Sequence, residues 1–146
     1  MMASASDIVA AARGWLGTPY RHQASVRGAG TDCLGLLRGV WREVIGPEPV
    51  AVPAYTFDWS EPQGEERLWG AAMAHLLPAG SGLLPGDVLL FRMRNGAVAK
   101  HLGILSESGA LPAFIHAYTG HGVVESPLSR PWERRIVARF RFPLEG

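Results

Sequence analysis

The 146-residue sequence has little cysteine and almost no excess of charge, and each shortage excludes a class of protein. Its single cysteine, Cys33, cannot form an internal disulfide, and the CxxC and Cys/His spacings of structural zinc sites are absent. The 14 basic and 13 acidic residues give a formal net charge of +1. Proteins that bind nucleic acid or membrane surfaces tend to carry a larger positive excess. We therefore expect a free thiol and no direct nucleic acid binding.

Long apolar runs are also missing. No window approaches the ~20 apolar residues that a membrane-spanning helix needs, so we expect no membrane insertion. The N-terminal stretch "MMASASDIVAAARGWLGTPY" has no basic start, and it contains Asp7 and Arg13 where a secretion signal would be apolar. The sequence therefore predicts a protein made in the cytoplasm without a signal peptide.

The order of the predicted elements indicates an α+β fold in one domain, residues 1–146. With 47% apolar residues, the chain is long enough for one compact core. Ser4 or Ser6 can cap a first helix, and Asp32 can cap a second one that runs from Cys33 to about Ile45. A third helical pattern precedes Pro78. Gly35 and Gly39, inside the second helix, predict that another backbone or a sheet passes close to it.

The second half of the chain has the period of β-strands. The candidate strands are separated by short turns, which predicts an antiparallel meander of about five strands: "GDVLLFRM", "KHLGILS", "AFIHAY", "GVVESPL" and "RIVARFRF". In the last strand, the arginines alternate with an apolar face of Ile136, Ala138, Phe140 and Phe142. We interpret the proline- and aromatic-rich residues 47–62 as an irregular crossing or lid.

Cys33 is the first candidate for chemistry because it opens a predicted helix. Unpaired N–H groups and the helix dipole at that end favour the thiolate, so the position predicts a lowered pKa and an oxyanion site for an attacked carbonyl. A nucleophile also needs a base. The alternative is that Cys33 is a small buried hydrophobe, as most free cysteines are.

Two histidines on neighbouring strands supply that base. Strand alternation places His101 on one face with Gly103 and Leu105, and His116 on one face with Phe114 and Tyr118. Adjacent strands can bring the imidazoles together at ~5 Å between β-carbons, which gives a Cys33–His101–His116 relay. Gly103 would leave room for the helix start. A zinc site built from the same three residues is the competing interpretation, and we expect the remaining histidines to face solvent: His22, His75 and His121.

Five short motifs, taken together in their order, resemble the NlpC-type family of cell-wall cysteine peptidases. They are "GTPY" from Gly17, "DCLGLL" from Asp32, "LLPGDVLLF" from Leu83, "HLGIL" from His101 and "IHA" from Ile115. The resemblance implies a papain-like fold in which the nucleophile helix packs on a C-terminal antiparallel sheet. It also implies a hydrolase that acts on peptidoglycan stem peptides without a cofactor or metal.

The family pattern assigns a role to each matched residue. Cys33 matches the nucleophile, His101 the general base and His116 the residue that orients the base. Tyr20 matches a tyrosine that helps to hold the oxyanion or substrate, and Asp32 matches an acid that helps to bind the free amine of the stem. The usual serine after the cysteine is Leu34 here, which leaves open whether a free N-terminal L-alanine is required.

A more specific resemblance is to the branch of the family found in phage and gene-transfer-agent tails, carried by "GVWREVIGPEP". It implies a virion component that binds tail-tip or hub proteins and opens the wall during DNA delivery. We expect cleavage of the γ-D-glutamyl to diamino-acid amide through an acyl-enzyme. The alternatives are a structural tail-tip protein with weak or lost catalysis, and a thiol amidase or acyltransferase of the same fold.

Overall fold

The computed structural model describes residues 3–49 and 66–144, and within them it has the predicted α+β architecture. Its helices lie mainly on one side of a twisted antiparallel sheet. They are α1 (Ala5–Arg13), α2 (Cys33–Val44), α3 (Arg67–His75) and α4 (Arg130–Glu133). The predicted crossing or lid, residues 47–62, falls mostly outside the described residues. The third predicted helix ends at His75, three residues before Pro78.

The strands form one large sheet and one small hairpin. The hairpin pairs β1 (Ser25–Val26) with β2 (Gly30–Thr31) just before α2. The large sheet has the order β3-β8-β4-β5-β6-β7, and its neighbours are antiparallel. Its strands are β3 (Leu77–Pro78), β4 (Val88–Arg92), β5 (Ala99–Glu107), β6 (Ala113–Tyr118), β7 (Gly122–Pro127) and β8 (Ile136–Arg141).

The predicted meander is confirmed for β4 to β7 and is wrong for the last strand. After β7, the short helix α4 carries the chain back across the sheet, and β8 pairs with β4 on one side and β3 on the other. A register shift between Leu90 and Phe91 separates Ile136 from the rest of the predicted apolar face. Phe140 and Phe142 pack in the main core, whereas Ile136 packs on the opposite side of the sheet.

Helix α1 begins as the sequence predicts. Ser4 is its N-cap, and a reciprocal capping box joins Ser4 and Asp7: the hydroxyl accepts from the Asp7 N–H, and the carboxylate accepts from the Ser4 N–H. Such a box satisfies two of the N–H groups that have no partner inside the helix. Ile8 and Trp15 are buried, whereas Leu16, three residues beyond the end of the helix at Arg13, is exposed.

The two glycines of α2 make room for different neighbours: the predicted close backbone is found at Gly35, and a sheet is found at neither position. A β-carbon on Gly35 would lie 1.9 Å from the Ala24 carbonyl oxygen, so the loop before β1 is the backbone that passes close. A β-carbon on Gly39 would lie 2.0 Å from the Trp15 ring. Gly39 therefore accommodates the indole that follows α1. Both glycines allow α2 to pack closely against the N-terminal part of the chain.

Apolar side chains cover both faces of the sheet. The main core packs α1, α2 and α3 against one face, with Leu36, Val40 and Ile104 at its centre. A second core lies on the other face, where α4 covers Phe91 and Phe114 with Trp132. Across the two described ranges, every helix is too short or too polar to span a bilayer.

The pairing of β5 with β6 stops before either strand ends. The ladder runs from Glu107–Ala113 to Ile104–Ile115, so Lys100 and Leu102 lie beyond its end. The N-terminus of α2 packs at this opening. This local separation of two sheet strands positions the candidate site.

Candidate active site

Cys33 lies at the first position of α2, and the local fold fixes it there. The Asp32 side chain caps the helix: its Oδ1 accepts from the Gly35 N–H and its Oδ2 from the Gln23 N–H, both at 2.7 Å. Thr31 pairs with Ser25 in the hairpin and with Tyr20 in a parallel bridge. The sequence before the helix therefore folds back twice beside the cysteine.

The Cys33 sulfur lies against the backbone of β5 on both sides of His101. Its Sγ is 3.9 Å from the Lys100 carbonyl oxygen, and the N–H groups of Leu102, Leu34 and Cys33 itself also point at it. The thiol lines a cavity of about 360 Å³ that opens to solvent. The same cavity is lined by Tyr20, His22, Asp32, Met93, Lys100, His101, Ala117, Tyr118 and Thr119.

The predicted lowering of the Cys33 pKa is wrong for the resting protein. Burial and, to a lesser extent, the negative charge of Asp32 together raise the pKa of the thiol to about 12. The three backbone N–H groups act in the predicted direction, but they do not outweigh burial. At neutral pH the sulfur therefore carries its proton, and it needs a base when it attacks.

His101 and His116 are joined by a direct hydrogen bond. His101 Nε2 and His116 Nδ1 are 2.7 Å apart, and the ring centroids are 5.0 Å apart. Because Ile104 pairs with Ile115, the two histidines are diagonal neighbours across the strands rather than opposite each other. The bond occupies Nε2 of His101, which leaves Nδ1 as the ring atom that can take a proton from a thiol.

Gly103 does not serve the purpose that the sequence predicts for it. A β-carbon there would lie 2.7 Å from the Phe114 ring. The missing side chain thus makes room for Phe114 on the second-core face, whereas α2 approaches the other face of β5 through Leu102 and Ile104.

Both imidazoles are held in the neutral form. Burial lowers the pKa of His101 well below its usual value, and the neighbouring His116 lowers it further. Burial lowers the pKa of His116 to about 4, with a smaller contribution from His121. A neutral imidazole is the form that can act as a general base.

Tyr20 and Asp32 both line the cavity beside the sulfur. The Tyr20 side chain is half-buried and bonds to Thr119; burial and the nearby Cys33 raise the pKa of its phenol to about 12, so it keeps its proton as a donor. The predicted N-cap role of Asp32 is confirmed. Its predicted contact with a substrate amine, like the predicted role of Tyr20, stays a prediction.

Two residues around the imidazole pair were not identified from the sequence. Ser126 Oγ is 2.9 Å from His116 Nε2. Trp132 packs its indole against both rings, with centroid distances of 5.6 Å to His101 and 5.1 Å to His116. The β6–β7 hairpin could have indicated Ser126, since a turn at residues 119–121 places that serine opposite Phe114.

The remaining histidines differ from one another in position. His22 is exposed, as predicted, but it also lines the cavity, where its Nδ1 is 3.9 Å from Asp32 Oδ2. His121 is exposed and stacks on Tyr118. His75 ends α3. Within residues 3–49 and 66–144, no group of three metal-ligating side chains could hold an ion, the proposed zinc triad included.

Comparison with known proteins adds to this geometry. Residues 17–141 match the model of the NlpC/P60 family. The chain belongs to the NlpC/P60 family. The matched range covers α2 and every strand of the large sheet, and the fold that the motifs implied is thereby confirmed.

Curated NlpC/P60 relatives are longer than this chain. It is 31% identical over 122 residues to "Murein DD-endopeptidase MepS/Murein LD-carboxypeptidase" of Escherichia coli K12, covering 83% of this chain and 54% of that protein. It is 30% identical over 123 residues to "Probable endopeptidase NlpC" of the same strain, covering 84% and 68%. The chain thus spans about half the length of the first relative.

A solved structure shares the NlpC/P60 fold. It is a lipoprotein-like protein of the NLP/P60 family from Staphylococcus aureus, with a TM-score of 0.59 and 20% identity, over 94% of this chain and 40% of that one. This likeness supports the fold of the chain.

The buried histidines of this NlpC/P60 chain predict that acid destabilises it. A histidine in the unfolded chain binds its proton near pH 6.5, whereas in the folded protein the pKa of His116 is about 4. The free energy of unfolding should therefore fall as the pH drops from about 6.5 towards 4, by about 1.4 kcal/mol per pH unit for each such histidine. Urea unfolding at pH 7, 6 and 5 measures the free energy of unfolding. His116→Gln should reduce its dependence on pH. Equal stabilities at pH 7 and 5 would contradict the prediction.

Asp32→Asn should change the thiol and the helix cap together. Removing the negative charge is expected to lower the pKa of Cys33, while the loss of a charged acceptor for two N–H groups should cost about 2 kcal/mol of unfolding free energy. Because Cys33 is the only thiol, the pH dependence of iodoacetamide alkylation reports its pKa. Asp7→Asn, in the α1 capping box, is the matched control. An unchanged alkylation profile for Asp32→Asn would show that the charge is not felt at the sulfur.

Proposed function

We propose that the chain is a cysteine endopeptidase that cleaves peptidoglycan stem peptides at the amide between γ-D-glutamate and the diamino acid. The observation that carries this proposal is the Cys33 thiol, open to a cavity and lying against β5 on both sides of His101, whose ring is bonded to His116. The family of the chain and the names of two relatives, a murein endopeptidase and a probable endopeptidase, support the substrate class.

The first half of the reaction forms a thioester. The thiol proton moves to His101 Nδ1 as Cys33 Sγ attacks the carbonyl carbon of the scissile amide. Both groups begin neutral, so charge develops only as the S–C bond forms. The backbone N–H of Cys33 and the Tyr20 hydroxyl hold the oxyanion. His101 then gives its proton to the leaving amine, the C–N bond breaks, and the acyl group remains on sulfur.

The second half returns the enzyme to its starting state. Water attacks the thioester while His101 accepts its proton, and the γ-D-glutamyl acid leaves as the thiol regains the proton. His116 keeps the His101 ring oriented through both halves. Asp32, beside the cavity, binds the free amine of the stem. No cofactor enters any step.

The direct test is mass spectrometry of the products after incubation with purified stem peptides, with stems still joined to muramic acid, and with stem peptides plus a lipid acyl donor. Cleavage between γ-D-glutamate and the diamino acid is expected, and peptides with and without a free N-terminal L-alanine address the effect of Leu34. Release of the intact stem from muramic acid would instead identify an amidase. Transfer of a lipid acyl group would identify an acyltransferase. Either of these results would overturn the proposed bond specificity.

We further propose that residues 1–146 form one peptidase domain that works as a component of a phage-like tail and contacts tail-tip or hub proteins. This proposal rests on the resemblance carried by "GVWREVIGPEP". Antibody detection of the chain in purified particles from the producing bacterium is the test. Absence from such particles would contradict the tail assignment and leave the peptidase assignment intact. If Cys33→Ala particles opened the wall as well as the wild type, a structural tail role would be favoured instead.

A further inference from the structure

The series of hydrogen bonds that begins at His101 continues beyond His116. His116 Nε2 is 2.9 Å from Ser126 Oγ, while its Nδ1 is 2.7 Å from His101 Nε2. Both ring nitrogens of a fully buried imidazole therefore have a partner. A neutral imidazole carries one proton, so the partners decide which nitrogen holds it.

The two possible arrangements have opposite consequences for Cys33. If His116 carries its proton on Nε2, its Nδ1 accepts a hydrogen bond from His101 Nε2–H, and His101 Nδ1 is free to take the thiol proton. If His116 carries its proton on Nδ1, it donates to His101 Nε2, and the proton of His101 lies on Nδ1. In that second arrangement, His101 cannot act as a base towards Cys33.

We propose that Ser126 is a positioning residue that selects the first arrangement, and this inference rests on the proposed function of the site. A serine hydroxyl can donate or accept, and in the first arrangement it accepts from Nε2–H of His116 at the observed distance of 2.9 Å. That bond stabilises the Nε2–H tautomer of His116 and, through it, the Nε2–H tautomer of His101. Ser126 touches neither Cys33 nor substrate; it acts through the two imidazoles.

The side chains that pack on the His116 ring are largely aromatic, so the Ser126 hydroxyl is important as a hydrogen-bond partner for Nε2. Aromatic rings enclose His116: Phe114 at a centroid distance of 4.2 Å, Tyr118 at 5.4 Å and Trp132 at 5.1 Å. A ring N–H without an acceptor in such a place loses the hydrogen bond that water would have supplied. Without the Ser126 hydroxyl, the Nε2–H form of His116 would hold an unpaired buried N–H, whereas in the Nδ1–H form the ring proton stays bonded to His101 Nε2.

The test combines a spectroscopic and a kinetic measurement on the full chain. In ¹⁵N-labelled protein, the ring nitrogen shifts of His101 and His116 should show both rings in the Nε2–H form at pH 7. Ser126→Ala should add a population of the Nδ1–H form and lower kcat about tenfold, with KM little changed. Ser126→Thr, which keeps the hydroxyl, should restore both readouts.

Ser106→Ala is the matched control. It removes a strand hydroxyl that bonds to Glu125 at 2.6 Å, outside the imidazole pair, so tautomers and kcat should stay as in the wild type. A wild-type His116 in the Nδ1–H form, or Ser126→Ala with unchanged ring shifts and kcat, would overturn the inference. The shifts need no substrate. If they behave as expected in a protein that cleaves no stem peptide, the proposed function fails and the tautomer assignment stands.

Discussion

Cys33→Ala is expected to abolish stem-peptide cleavage, with a fall in kcat of at least about 10⁴-fold, because the proposed mechanism needs a thiol and Cys33 is the only cysteine in the sequence. The fold should survive. Cys33 is a small buried side chain at the start of α2, and the cap beneath it depends on Asp32. Initial rates of product formation, measured with far-ultraviolet circular dichroism on the same samples, separate lost chemistry from lost structure.

Cys33→Ser is the companion variant. Its hydroxyl keeps a polar atom in place, but it is a much weaker nucleophile than sulfur in a site built for a thiol. We expect it to be nearly as inactive as Cys33→Ala while binding stem peptides as the wild type does. Cleavage by Cys33→Ala at more than a tenth of the wild-type rate would show that the chemistry lies elsewhere in the chain.

His101→Gln is expected to lower kcat about 10³-fold, the second largest effect. The resting thiol is protonated. Without a group at this position that can take up its proton, the attack requires a free thiolate, which burial disfavours. The loss should shrink as the pH rises, because hydroxide then generates thiolate without His101. The pH dependence of kcat between pH 7 and 10 is the measurement.

His75→Gln is the matched control for His101→Gln. It makes the same replacement at a histidine in the last turn of α3, which does not line the cavity. Its kcat should equal that of the wild type across the pH range. If His101→Gln kept full activity at pH 7, another group would have to accept the thiol proton, and the assigned base would be wrong.

The sequence predicted those parts of the site that depend on local structure. Asp32 followed by an apolar helical run marks a capped helix, and the helix begins at Cys33 as predicted. Alternation along β5 and β6 correctly placed His101 with Leu105 and His116 with Phe114. Short-range rules suffice here because caps and strand faces depend on neighbouring residues.

The remaining features depend on packing between distant segments. The return of β8 beside β4 and the cover that Trp132 provides depend on α4 crossing the sheet, which no local pattern encodes. The pKa of Cys33 was predicted in the wrong direction for a related reason. The helix start acts locally, but burial, which outweighs it, results from the whole fold.

The central claim is that stem cleavage passes through an acyl group on the Cys33 sulfur, and trapping with hydroxylamine tests it most directly. Hydroxylamine competes with water for a thioester. If the claim holds, digestion in its presence yields the hydroxamate of the γ-D-glutamyl fragment, in a proportion that rises with hydroxylamine concentration and does not depend on which amine has left. Continued release of the acid with no hydroxamate at any concentration would mean that water attacks the amide directly, and the thioester mechanism would be contradicted.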